Sequence, residues 1–107
     1  MIHVTPFELD VISEPESTRL LCKGELDVAT TPVFEKCLEN LLYDRHLRVE
    51  LDLSEVRCLD SSGVSALVAA HERFRARRGS LHIRRSNPRI DRLLDLLALR
   101  HLHRTGA

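Results

Sequence analysis

The octapeptide HLRVELDL, residues 46–53, limits what this chain can fold into more than any other stretch. Leu47, Val49, Leu51 and Leu53 alternate with His46, Arg48, Glu50 and Asp52. A period of two sends successive side chains to opposite faces of a sheet. A strand with one apolar and one charged face belongs to a sheet covered by helices on one side only.

The flanking segments supply the covering layer. FELDVI (7–12) alternates like a half-buried strand, with Pro6 pointing to an edge position. SEPES (13–17) reads as a turn and TRLLCKG (18–24) as the returning strand of a hairpin. A first helix follows, with Thr31 as N-cap and Pro32 at its first position. Its apolar stripe is Val33, Phe34, Cys37, Leu38, Leu41 and Leu42. A second helix carries Val64, Leu67, Val68, His71 and Phe74 and ends near Gly79, with His71 read as a satisfied core histidine. SLHIR (80–84) is a further strand. Asn87 and Pro88 then open a third helix with Ile90, Leu93, Leu94 and Leu97 inward, and HLH (101–103) reads as a short last strand. Leu96 and Leu99 read as core at a crowded chain end, with a dimer or partner patch as the alternative. The order β-β-α-β-α-β-α-(β), joined by right-handed crossovers, implies an α/β fold: a small, mixed, largely parallel sheet with its helices on one face. At 107 residues the chain has room for one domain, 1–107.

Composition narrows the function. With no Trp, one Tyr and three Phe there is no aromatic platform for stacking bases, and zero net charge gives no general attraction to phosphates. Direct nucleic-acid binding is not expected. The neutrality hides an asymmetry, since residues 1–60 hold 13 acids and 6 bases and residues 61–107 hold 3 acids and 10 bases. The densest basic run, RFRARR (73–78), falls at a helix C-terminus, where the dipole favours cations. No window reaches the apolar length of a membrane span, and MIHVTPFELD lacks the pattern of a leader, so a cytoplasmic protein without a membrane partner is expected. Cys22, Cys37 and Cys58 are odd in number and widely spaced. They form neither a disulfide framework nor a metal motif, and buried reduced thiols are expected for all three.

The most informative break is RCLDSSGVSALVAAH, residues 57–71. An apolar run stops at Asp60-Ser61-Ser62-Gly63 and resumes at once with helical spacing. In an open α/β sheet this loop lies beyond the C-terminal end of a strand, where ligands and chemistry gather. Ser61 or Ser62 can cap the helix by accepting from a first-turn amide, and Gly63 lets another backbone come close. The same residues can also present a hydroxyl. Enzyme motifs do not fit. A hydrolase elbow needs glycine where Leu59 stands, a phosphatase loop built on Cys58 needs arginine where Val64 stands, and a phosphate-cradling loop needs more glycines and a lysine. His101 and His103 without a third ligand make a poor metal site. No catalysis, metal or cofactor is expected.

Taken together, GELDVATTP (24–32), LRVELDLSEVRCLDSSGVSALVAAHERF (47–74) and SNPRIDRLLDLLAL (86–99) resemble a STAS domain, and more narrowly the bacterial anti-sigma factor antagonists. The resemblance runs in order from about residue 7 to 104. It implies a STAS-like fold and a protein whose unphosphorylated form binds an anti-sigma factor that is also a serine kinase, so freeing the sigma factor. It further implies that the kinase phosphorylates Ser61, the first serine after the aspartate, and that a PP2C-type serine phosphatase reverses this. Asp27, Asp60, Ser61, Ser62 and Gly63 are then the partner-binding residues. Ser65 stands where many members have glycine. Two other functions compete: a STAS scaffold subunit of a stress-sensing or lipid-transport assembly with no Ser61 switch, and a small enzyme or nucleotide-binding protein using Asp60 and Ser61.

Overall fold

The computed structural model describes residues 7–103. β1 (Phe7–Ser13) turns back into β2 (Thr18–Leu26), closed by a hydrogen bond from the Glu14 N–H to the Ser17 carbonyl at 2.9 Å. There follow α1 (Thr31–Tyr43), β3 (Arg48–Leu59), α2 (Ser61–Ala76), β4 (Ser80–Arg85) and α3 (Pro88–Leu96). The four strands lie in the order β1-β2-β3-β4, the first pair antiparallel and the other two parallel. Both parallel crossovers advance in the same direction, so right-handed connections put α1 and α2 on one side. These helices pack on each other, α2 also on β4, and α3 against β3.

Burial follows the expected one-sided covering. Along β2, Thr18, Leu20, Cys22, Gly24 and Leu26 are buried, while Arg19, Leu21, Lys23 and Glu25 face the open side and are half-buried. On that open face Glu14 pairs with Arg19 at 3.4 Å and with Arg84 at 3.6 Å, and Arg84 reaches Glu50 at 3.4 Å. The acidic first half and the basic second half of the sequence are therefore interleaved in this network. β1 is an edge strand as expected, although Pro6 lies outside the described residues.

β3 departs from expectation by running six residues past Leu53. Its pairing with β2 slips twice, gaining one β3 residue between Asp52 and Glu55 and another between Val56 and Cys58. Each extra residue is a bulge that breaks the period of two. The buried side chains accordingly fall at Leu51, Leu53, Val56 and Leu59. Asp52, expected on the wet face, is 5% exposed; its Oδ1 accepts from the Ser54 N–H at 2.9 Å and from the Ser54 hydroxyl at 2.6 Å.

The helices shift in detail. α1 begins one residue early, with Thr30 rather than Thr31 at the N-cap, and Val33 is exposed while Cys37 is half-buried. The inward face of α2 is Gly63, Ala66, Leu67, Ala70, His71 and Phe74, with Val64 and Val68 on its flank. His71 is buried and donates from Nδ1 to the Leu81 carbonyl at 2.9 Å, the satisfied core histidine expected. α2 stops through a left-handed Arg78 (φ 61°), with the next N–H, that of Gly79, donating to the Phe74 carbonyl at 2.8 Å. Glycine is needed at position 79 because a Cβ there would meet the Leu47 carbonyl oxygen at 2.4 Å. In α3 only Ile90 and Leu94 are fully buried; Leu97 is 47% exposed and Leu96 78%, so neither is core. The expected last strand is a 3₁₀ turn at Arg100–Leu102 followed by one bridge from His103 to Ile83. Of the thiols, Cys22 is buried, Cys37 is half-buried and Cys58 is exposed, the last against expectation.

Asn87 joins two elements at once. Its Oδ1 accepts from the Ile90 N–H at 3.0 Å, capping α3. Its Nδ2 lies 3.0 Å from the Val56 carbonyl and 3.3 Å from those of Leu53 and Ser54, where β3 has outrun β4. Asn87→Ala is expected to cost about 2 kcal/mol in urea denaturation, the lost cap together with the abandoned carbonyls. Asn87→Asp keeps the cap but sets a carboxylate against those carbonyls, and is not expected to restore stability.

Candidate functional site

The site is built by the ends of β2 and β3. Leu26 stands opposite Leu59 in the parallel register, so the residues that follow, Asp27 and Asp60, leave the sheet side by side. The Leu26 carbonyl locks the two ends together. It accepts from the Asp60 N–H at 3.3 Å, and α2 passes so close that a Cβ on Gly63 would stand 2.4 Å from its oxygen and 2.6 Å from Leu59 Cδ1. The close approach expected of Gly63 is thus to the end of β2.

The helix cap belongs to Asp60, not to either serine. Asp60 Oδ1 accepts from the Gly63 N–H at 3.0 Å, and its carbonyl accepts from Val64 N–H at 2.9 Å. Ser61 is therefore the first residue of α2, exposed, with a hydroxyl that makes no hydrogen bond among the described residues. Ser62 behind it is half-buried. The N–H groups of Ser61 and Ser62 lie in the first turn, where an α-helix offers no internal acceptor and its dipole is positive. Asp60→Ala is expected to lose about 1 kcal/mol by thermal denaturation, and Asp60→Asn to lose less than half of that, since an amide oxygen also caps.

Asp27 organises the neighbouring loop. Its Oδ1 accepts from the N–H groups of Ala29 at 3.0 Å and Thr30 at 3.1 Å. Thr30 Oγ1 in turn lies 2.7 Å from the Glu25 carbonyl and accepts from the Asp27 N–H at 2.9 Å. Among the described residues these contacts use only one oxygen each of Asp27 and Asp60. The second oxygens leave the rim around Ser61 negatively charged.

All five expected residues, Asp27, Asp60, Ser61, Ser62 and Gly63, thus come together at one corner of the sheet. The reading of the sequence missed the apolar residues beside them. Val28 is 72% exposed and Val33 55% exposed on the loop and first turn that follow Asp27. A valine between turn formers in LDVATTP was the signal for Val28. Chemically, the corner offers an exposed hydroxyl, two carboxylates and exposed apolar surface. Among the described residues no cluster of His, Cys, Asp and Glu could hold a metal ion, and no helix is long and apolar enough to cross a membrane.

Comparison with known proteins agrees with this architecture. The family model described as "Mlab, STAS domain" matches residues 9–104. An anti-sigma-B factor antagonist of Listeria monocytogenes is 30% identical over 76 residues, covering 71% of this chain and 67% of that protein. Among solved structures, an anti-sigma factor antagonist from Mycobacterium paratuberculosis matches with a TM-score of 0.80 at 23% identity, over 91% of this chain and 82% of that one. The Bacillus cell fate determinant SpoIIAA in its phosphorylated form matches with a TM-score of 0.70 at 16% identity, over 94% and 91%. The family match spans nearly the whole chain, and with it the corner built by Asp27, Asp60 and Ser61 belongs to a member of the STAS-domain family, similar to the bacterial anti-sigma factor antagonists.

Proposed function

We propose that this protein is a cytoplasmic anti-sigma factor antagonist switched by phosphorylation. Its unphosphorylated form binds an anti-sigma factor that is also a serine kinase and so frees the sigma factor. The kinase phosphorylates Ser61, which ends the binding, and a PP2C-type serine phosphatase restores it. Asp27, Asp60, Ser61, Ser62 and Gly63 form the contact surface, and the chain itself catalyses nothing.

The observation that carries this reading is the division of labour at the start of α2. Asp60 holds the cap, and the exposed Ser61 hydroxyl makes no hydrogen bond among the described residues that a modification would break. The relatives named anti-sigma-B factor antagonists support the partner class, and the phosphorylated form of a structural neighbour supports the modification.

The test is a pull-down from native cytoplasm with Ser61→Ala and Ser61→Glu as parallel baits. A small ATP-binding kinase held by the alanine form and lost from the glutamate form is expected. A partner retained equally by both would reduce Ser61 to a surface residue on a constitutive scaffold.

A further inference from the structure

β3 continues past its partner strand. β4 pairs with it only from Arg48 to Asp52, and the rest of that edge meets side chains of the α3 segment instead. Beyond the carbonyls taken by Asn87, Arg89 donates from Nη1 to the Arg57 carbonyl at 3.1 Å. Between this strand end and α3 lies an open groove of about 310 Å³. Cys58, Leu93 and Leu96 give it an apolar lining, and Arg57, Arg89 and Arg92 surround it.

Its composition and its place set it apart from ordinary surface. Leu96 is 78% exposed, a large apolar side chain left in water at a groove edge. Among the described residues no acidic side chain lines the groove, although the protein as a whole is neutral. The carboxylates of α3 are engaged elsewhere, Asp91 with His103 at 3.2 Å and Asp95 with Arg100 at 3.1 Å. Arg92 makes no ion pair among the described residues. Among the described residues Arg57 pairs with Glu25 alone, at 3.9 Å between exposed side chains, a contact of little worth in water. The groove is also continuous with the switch corner, because Cys58 leads through Leu59 straight into Asp60 and Ser61.

We propose that this groove docks an acidic amphipathic segment of the protein partner. Apolar side chains of that segment rest on Cys58, Leu93 and Leu96, and its carboxylates pair with Arg57, Arg89 and Arg92. Charge complementarity selects the occupant: a basic segment would meet three guanidinium groups, whereas an acidic one neutralises them as they are desolvated. The inference rests on the reading of the chain as a partner-binding module and gives that partner a second anchor beside Ser61. Such an anchor orients the partner over the serine and lies outside the group that phosphate alters.

Cys58 supplies the test, because it sits in the groove and is the only exposed thiol among the described residues. Burial raises the pKa of both Cys22 and Cys37, which keeps them slower to react. The rate of Cys58 alkylation by neutral N-ethylmaleimide is measured with two 16-residue synthetic helical peptides, one of leucine and glutamate and one of leucine and lysine in the same pattern. The leucine–glutamate peptide is expected to slow the reaction at least fivefold at saturation and the lysine peptide less than twofold. Arg57→Glu/Arg92→Glu is expected to reverse that preference while leaving circular dichroism unchanged. Equal slowing by both peptides, or none by the acidic one, overturns the proposal. Protection that rises with protein concentration alone also overturns it, because a second copy would then be the occupant. The assay needs no anti-sigma factor, so its failure is distinguishable from failure of the Ser61 pull-down.

Discussion

Gly63→Ala is expected to destabilise the protein by about 2 kcal/mol, the opposite sign to its effect in an isolated helix. Glycine inside a helix is worse than alanine by about 1 kcal/mol, so propensity alone forecasts a gain. The structure forecasts a loss. A Cβ at this position would lie 2.4 Å from the Leu26 carbonyl oxygen and 2.6 Å from Leu59 Cδ1. The first contact is with backbone, which cannot swing aside, and Leu59 is buried. The start of α2 must therefore lift away from the end of β2, straining both the Asp60 cap and the Asp60 N–H bond to Leu26. Overpacking of this kind costs roughly 1–3 kcal/mol, and a weakened cap about 1 more, against the propensity gain. Urea denaturation with an unchanged slope gives the value directly. A more stable variant would mean that the two strand ends are not held together through this glycine.

The second large effect is expected in binding rather than in folding. Phosphate on Ser61 adds about −1.5 to −2 charge at the first position of α2. The free amides and dipole of the first turn favour an anion there by roughly 0.3–1 kcal/mol. The hydroxyl gives up no hydrogen bond among the described residues, and thermal stability is expected to move by no more than about 1 kcal/mol. The proposed complex would have no such tolerance. Asp27 and Asp60 already make the corner negative, so a buried phosphate meets like charge as well as desolvation. A penalty of about 3 kcal/mol is a hundredfold loss of affinity. Ser61→Glu, with one charge and a shorter reach, is expected to lose a smaller factor in the same direction.

The fold was legible in the sequence wherever the residue pattern kept its period. The alternation of residues 46–53 and the apolar stripes after Pro32, Gly63 and Pro88 placed three helices over one face of a largely parallel sheet. The pattern went silent where geometry changed the period. Two bulges in β3 move the inward positions to Val56 and Leu59, so an alternating template ends the strand at Leu53. Half of the buried face of α2 is Gly63, Ala66 and Ala70, small residues that a search for large apolar side chains passes over. Leu97 read as inward by helical spacing and Leu96 as core at a crowded chain end, but α3 ends at Leu96 with Ile90 and Leu94 as its buried contacts, and both leucines are left exposed.

The candidate site shows the same division. Asp60, Ser61, Ser62 and Gly63 stood out as a break in the apolar pattern and Asp27 came from the resemblance alone, while their meeting point follows from the parallel register of Leu26 with Leu59. Which residue caps α2 was not readable, because Asp60, Ser61 and Ser62 are all good N-caps. The extended backbone of Asp60, at φ −94° and ψ −174°, and its bond from the Gly63 N–H assign the cap to the aspartate rather than to a serine. The arginine groove was invisible for a related reason. Arg57 is 32 residues from Arg89, and only the overrun of β3 beyond β4 brings them together.

The central claim is that Ser61 switches an interface and leaves the fold intact. Its most direct test is a calorimetric titration of whatever partner the Ser61→Ala bait captures with two forms of the chain, one unmodified and one carrying phosphoserine at position 61. The account predicts a Kd about a hundredfold weaker for the phosphorylated form. Equal affinity for the two forms would contradict it.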